Sequence, residues 1–313
     1  MAHGKYQGVI LAAGHGSRMG PFGDAVPKPI APICNKPLLV YQLEEMRRLG
    51  IEDVIVVIGH LGHRVTQHLG DGSAFGVHIR YVEQEKRLGL AHAVGQLERH
   101  IDRPFLLMLG DIFFDSAGLD PMFDVFEEKD ASAVLAVRME TDPAIVQLSA
   151  SVVLSEDGTV RRIIEKPRHV PSLLRCIGLY LFDSRIFDAI RRTPRTAMRD
   201  EYELTDSIQI LVDYEYPVRT ADVTDWAVNI TYIGDLIDCC VHRLHQQGRT
   251  SLVGEACSIA DGTRLVDTVL GPGAEIAHAM TLERCVVLPG VRIDQGDYYR
   301  ETVFTSSGQF CAE

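Results

Sequence analysis

Five charged side chains and two glycines stand where the chemistry of a phosphorylated ligand would need them. The segment LAAGHGSRMGPFGDAVPKP, residues 11–29, follows an apolar run and carries Gly14, Gly16, Arg18 and Lys28. Glycines let a backbone approach an anion closely, and successive N–H groups form an anion-binding nest. Two cations in the same loop suit a triphosphate undergoing reaction better than a diphosphate merely held. A dinucleotide fingerprint would need glycine at position 19, which is Met19, and the Walker pattern is absent. Asp111, in LMLGDIFF, closes another apolar run. A carboxylate there is costly without a partner. At a strand end facing phosphates it is a natural Mg²⁺ ligand, since Mg²⁺ takes one or two carboxylates plus phosphate oxygens. Glu165 and Lys166, in RIIEKP, are adjacent on an expected strand. Their side chains are therefore expected on opposite faces, one reading sugar hydroxyls and the other holding a phosphate.

The elements that must position these groups alternate along the chain. GVILAAG, DVIVVIG (53–59), VHIRYVEQ (77–84), PFLLMLGD (104–111) and SAVLAVRM (132–139) read as strands. Helices are expected at 37–49, with Leu39, Leu43, Met46 and Leu49 on one face, and at 90–100. Continuous apolar strands alternating with helices predict a mainly parallel sheet covered on both faces. Ligands in such sheets bind beyond the carboxyl ends of the strands. Then SVVLSEDGTVRRIIEKP reads as a hairpin about Asp157-Gly158, followed by strands at 176–183, 216–223 and 226–231 and a helix at 233–246.

A third rhythm starts near residue 250. Val253, Ile259 and Leu265 are spaced by six, as are Leu270, Ile276, Leu282 and Leu288 after a slip of one; Ile293 and Tyr299 continue after a second slip. A hexapeptide period predicts a short parallel β-helix of about three coils, at roughly 18 residues per coil. The expected domains are thus a catalytic domain at 1–248 and a β-helix at 249–313.

The net charge of −12 over 313 residues argues against nucleic-acid and anionic-membrane partners, which reward surplus Lys and Arg. No apolar stretch has the length of a membrane helix, and MAHGKYQ lacks a signal-peptide core. Seven cysteines without a CxxC are expected to be reduced, mostly buried thiols of a cytoplasmic protein, with no zinc site.

The opening segment, extended to LAAGHGSRMGPFGDAVPKPIAPICNKPLLVYQLEEMRRLGIEDVIVVIGH, closely resembles the start of nucleoside-diphosphate-sugar pyrophosphorylases, the sugar-1-phosphate nucleotidyltransferases. QEKRLGLAHAV, LMLGDIFF, RIIEKP, CIGLYLF, YELTDSIQ and the hexapeptide tail resemble later family motifs in the same order. GDGSAFGVHIRYVEQEKRLGLAHAV is most similar to the longer glucose-1-phosphate thymidylyltransferase-like branch. The resemblance implies a Rossmann-like α/β nucleotidyltransferase domain with a mixed, mainly parallel sheet, followed by a short left-handed parallel β-helix. It implies an NTP and a sugar 1-phosphate, or a related phosphorylated acceptor, as substrates, Mg²⁺ as cofactor, and a homodimer or homotetramer.

The same resemblance assigns roles. Leu11, Ala13, Gly14, Gly16, Ser17 and Arg18 would wrap the nucleotide, Lys28 would neutralise its phosphates, and Gln84 and Gly89 would read the base edge. An amide at Gln84 can donate to and accept from the imide edge of uracil or thymine, so UTP or dTTP is favoured. Asp111 and Asn229 would hold Mg²⁺. Gly110, Ala150, Glu165 and Gly178 would contact the sugar, and Lys166 its phosphate. Departures from the family pattern are Asn229 for the commoner Asp, Ala150 for a sugar-contacting Gly, Ile112 after LGD, and Thr231 for a Gly. Several lie on the sugar side, which predicts an unusual acceptor. His60, His63 and His68 are expected to be peripheral, and His278 not catalytic. The alternative is a catalytically silent, ligand-sensing paralogue; the retained Arg18, Lys28, Asp111 and Lys166 argue against it.

Overall fold

The computed structural model describes residues 3–14, 16–197 and 200–312. They form two compact bodies, residues 3–14 with 42–227 and residues 16–41 with 228–312.

The first body is built on a nine-stranded sheet. Its strands are β1 (Gln7–Ala12), β2 (Asp53–Ile58), β3 (His78–Glu83), β4 (Phe105–Leu109), β5 (Ala133–Met139), β6 (Ala150–Leu154), β7 (Val160–Glu165), β8 (Leu174–Phe182) and β9 (Val218–Asp222). The spatial order is β7-β6-β8-β4-β1-β2-β3, with β5 against β8 and β9 against β5. Strands β4, β1, β2 and β3 are parallel. Strand β8 is antiparallel to β4, β5 and β6, so the sheet is mixed. Every residue of β1 is buried, as a strand covered on both faces requires. The core packs Val9, Leu11, Ile55, Val57, Leu107 and Leu135 with Phe182 and Ile208.

Local chemistry explains the turns. In the β6–β7 hairpin, Asp157 accepts hydrogen bonds from the Ser155 hydroxyl (2.6 Å) and from the Thr159 N–H (3.1 Å), and Gly158 follows at φ 78°. Those contacts hold the Asp157 carboxyl below the usual carboxylate range. The Leu39, Leu43, Met46 and Leu49 face is fully buried. The stretch expected as one helix at 90–100 is α-helical only over Leu90–Gly95, with a 3-10 turn at Glu98–His100. Gly95 stands at the break, where a glycine weakens helix propagation.

In the second body, short strands form three parallel ladders. Leu252 pairs with Val269, Val269 with Val286, and Val286 with Val303. Ile259, Ile276 and Ile293 form the second ladder, and Leu265, Leu282 and Tyr299 the third. Partners are 17 residues apart, so the expected spacing of six is shortened at one corner of every coil. That corner carries a left-handed residue each time: Asp267 (φ 48°), Arg284 (φ 51°) and Glu301 (φ 48°). The slips in the sequence are this corner. Val287, rather than the expected Leu288, therefore takes the place of Leu270 on the next coil. The pairing is compatible with a β-helix. Strand Gly308–Cys311 returns antiparallel to Thr302–Thr305. All seven cysteines are free thiols. Among the described residues no helix is long and apolar enough to cross a membrane.

Candidate active site

The carboxyl end of β1 is flanked by two glycines that let its neighbours close on it. A Cβ on Gly110, after β4, would lie 2.7 Å from the Leu11 carbonyl oxygen and 3.0 Å from Ala12 Cα. On Gly59, after β2, it would lie 2.8 Å from the Ala13 oxygen. Gly110 N–H donates to the Leu11 carbonyl at 2.9 Å. Asp111 is thereby fixed two residues beyond the end of β4. Sequence reasoning missed the group that pins this turn. Gln42, 1% exposed, donates through Nε2 to the carbonyls of Leu109 (2.8 Å) and Ile112 (2.9 Å). The signal was available: Gln42 is a polar residue on the apolar face of its helix, three after Leu39 and one before Leu43.

Asp111 is half-buried, and no cation of the described residues pairs with it. A partly desolvated carboxylate without a protein cation fits a hard divalent ion. Asn229, in the second body, ends the strand Trp226–Asn229 and is half-buried; its side chain carries a neutral amide oxygen that could serve a metal ion. Among the described residues there is no cluster of three or more His, Cys, Asp or Glu side chains, so phosphate and water oxygens would have to complete the shell.

Among the residues expected to contact the sugar, Ala150 on β6 stands directly between Glu165 of β7 and Cys176 of β8. Gly178 sits in a bulge of β8 at φ 85°, where a Cβ would meet the Leu109 side chain at 2.8 Å. Burial, reinforced by Cys176, Glu165 and Asp111, pushes the Tyr180 hydroxyl well above its usual range, so it stays neutral. The expectation of opposite faces for Glu165 and Lys166 is corrected. Strand β7 ends at Glu165, and Lys166 adopts φ 43° while its N–H donates to the Ser149 carbonyl at 2.6 Å. Alternation therefore fails there, and Lys166 Nζ comes 3.7 Å from Glu165 Oε1. Ile112 is fully buried, so its side chain is not presented to an acceptor.

Gln84, expected to read the base edge, follows β3 and is buried. Its Nε2 donates to the Gly89 carbonyl at 3.3 Å. Gly89 has φ 105°, and a Cβ there would lie 2.4 Å from the Tyr202 carbonyl oxygen. Backbone bonds from Tyr202 N to Leu88 O (2.7 Å) and from Ala91 N to Tyr202 O (3.0 Å) close this clamp.

In the second body, Gly16 adopts φ 72° and opens the 3-10 turn Ser17–Met19. The Lys28 chain lies 3.2 Å from where a Gly16 Cβ would stand, so the fold brings Gly16 and Lys28 together. Gly23 comes closer still, its Cβ position being 2.5 Å from the Gly16 oxygen. Ser17 and Arg18 are exposed. Met19 is 2% exposed, which gives the missing third glycine a physical reason: the position is a hydrophobic anchor.

A strand crest opened by glycines, with a carboxylate on the adjacent strand end, defines an α/β protein of the kind that holds phosphorylated ligands beyond its strand ends. Comparison with known proteins narrows the class. The profile of the family described as Nucleotidyl transferase matches residues 7–228. The low-salt glycan biosynthesis nucleotidyltransferase Agl11 of Haloferax volcanii is 36% identical over 222 residues, 70% of this chain and 61% of that protein's length. A glucose-1-phosphate thymidylyltransferase of Streptomyces antibioticus is 32% identical over 289 residues, covering 87% of this chain and 79% of that one. A solved UDP-glucose pyrophosphorylase in complex with UDP-glucose shares the fold, with a TM-score of 0.68 at 22% identity over 80% of this chain and 100% of that one. The chain belongs to the sugar-1-phosphate nucleotidyltransferase family.

Proposed function

We propose that the chain joins an NTP to a sugar 1-phosphate, giving an NDP-sugar and pyrophosphate. The observation that carries this reading is the half-buried Asp111 carboxylate. It is held beside β1 by Gly110 and Gln42 and is unmatched by any described cation, in a chain of this family. A phosphate oxygen of the acceptor attacks the α-phosphorus in line and forms the new P–O bond. The bond to the β-phosphate bridging oxygen breaks, and pyrophosphate leaves with the electron pair. Both reactants are highly anionic, so positioning and charge neutralisation are the main demands. Arg18, Lys28 and Lys166 meet the second demand, and no nucleophilic side chain is required. Mg²⁺, held by Asp111 and Asn229, would add positive charge at the phosphate oxygens when bound.

Leu11, Ala13, Gly14, Gly16 and Ser17 would line the nucleotide, with Gln84 and Gly89 at its base, and UTP or dTTP is the favoured NTP. Gly110, Ala150, Glu165 and Gly178 would take the sugar. Ala150 and Asn229 support an acceptor other than plain glucose 1-phosphate. Residues 1–248 would be the catalytic domain and 249–313 a left-handed β-helix serving contacts in a dimer or tetramer. Seven free cysteines support a cytoplasmic setting. The test is a matrix of NTPs against sugar phosphates read by pyrophosphate release, with Lys28→Ala and Asp111→Ala as controls. Release by wild type and its loss in both variants is expected. No release with any pair would favour a silent, ligand-sensing paralogue, and strong preference for glucose 1-phosphate would overturn the unusual acceptor.

A further inference from the structure

The amide of Gln84 is more constrained than a base-reading glutamine needs to be. Its Nε2 lies 3.3 Å from the Gly89 carbonyl and 3.3 Å from His92 Nδ1. A primary amide has two N–H bonds, and these two acceptors use both. The amide oxygen has no donor among the described residues. Gln84 lines a cavity of about 610 Å³ at the carboxyl ends of β2 and β3, together with Gly59, His60 and Arg87. His92 lines a different cavity, of about 580 Å³, with Lys86 and Gln96. His92 is not in the lining of the first cavity, and its hydrogen bond to that lining is the one to Gln84.

We propose that His92 is a positioning residue that locks the Gln84 amide with its oxygen toward the base, so that the site accepts bases carrying a ring N–H and rejects those presenting a ring-nitrogen lone pair there. Uracil and thymine carry that N–H at N3; cytosine and adenine present a lone pair at the matching edge, which would face the Gln84 oxygen. The lock requires a neutral imidazole whose Nδ1 accepts. Burial, then the nearby Lys86, lowers the His92 pKa and keeps the ring neutral. The ring is in turn held by Tyr202, whose ring lies nearly parallel at 6.5 Å, and whose backbone clamps Gly89. One tyrosine thus supports both acceptors of the Gln84 amide. The earlier expectation, that Gln84 both donates and accepts at the base edge, becomes acceptance alone.

This inference rests on the reading of Gln84 as the base contact, and the experiment separates the two. Specificity constants for UTP, dTTP and CTP are measured with one acceptor for wild type, His92→Leu, His92→Asn and Gln84→Leu. His92→Leu keeps the volume but removes the acceptor, freeing the amide to flip. The UTP:CTP ratio is expected to fall about tenfold or more, the scale of discrimination set by one buried polar pairing. His92→Asn, which restores an acceptor at the δ position, is expected to recover most of the ratio; a purely structural role would not be rescued in that ratio. Unchanged UTP:CTP preference in His92→Leu, with Gln84→Leu impaired for UTP, would overturn the positioning role alone. An unchanged ratio in Gln84→Leu as well would overturn the base contact itself.

Discussion

Gln42→Leu tests how the Asp111 carboxylate, the proposed Mg²⁺ ligand, is held. The wild-type amide makes a part-buried hydrogen bond of 2.8 Å and a buried one of 2.9 Å to carbonyls on either side of Gly110–Asp111, and its own Oε1 is buried without a partner. Leucine would strand one buried and one part-buried carbonyl, at about 1–3 kcal/mol each with the part-buried one at the low end, while removing one unsatisfied oxygen of similar cost. The net expected loss is thus about 1–3 kcal/mol of stability. The larger effect should be functional, because the turn that aims Asp111 loses its only side-chain tether among the described residues. Urea denaturation measures the first, and the Mg²⁺ concentration for half-maximal pyrophosphate release measures the second. We expect an earlier urea midpoint and a Mg²⁺ requirement raised about tenfold, on the scale known for groups that orient metal ligands. A variant that unfolds with wild type and shows the wild-type Mg²⁺ curve would refute the assignment of Gln42.

Other consequences are as direct. Gly89→Ala forces a Cβ to 2.4 Å from a backbone oxygen at φ 105°, a strain of about 1–3 kcal/mol; KM for the NTP should rise several-fold, and an unchanged KM would contradict the clamp. Lys28→Ala should lower pyrophosphate release about a hundredfold or more, the scale of losing one preorganised charge at a transition state; a threefold loss would remove Lys28 from the chemistry. Burial pushes the Cys285 thiol up to about 11 and the Tyr81 hydroxyl up to about 12. Folding therefore favours their neutral forms, and the stability they confer is complete below about pH 8.5 and is lost as pH rises toward 11–12. The urea midpoint should fall between pH 9 and 11, and fall less in Cys285→Ala; identical profiles would contradict the shift.

The parallel half of the sheet was legible because buried parallel strands are continuous apolar runs, and Asp111 stood out as a charge at the end of one. The insertion of β8 antiparallel to β4 was not, because a fully buried strand reads the same in either direction. Glu165 and Lys166 were misplaced because alternation was extended one residue past the strand end, where φ turns positive. The hexapeptide period was visible, but its 17-residue repeat is set by left-handed corners at Asp267, Arg284 and Glu301, and of these types only Asp favours that conformation. Gln42 and Tyr202 bond backbone groups of segments far away in sequence, at Leu109, Ile112, Leu88 and Ala91, so neither contact shows in the local pattern.

The most direct measurement follows label from the NTP. With α-³²P-labelled and γ-³²P-labelled UTP or dTTP, Mg²⁺ and an accepted sugar phosphate, α label should appear in the sugar nucleotide and γ label in pyrophosphate, in equal amounts. Recovery of α label as nucleoside monophosphate, or of γ label as inorganic phosphate, would contradict attack by the acceptor phosphate on the α-phosphorus.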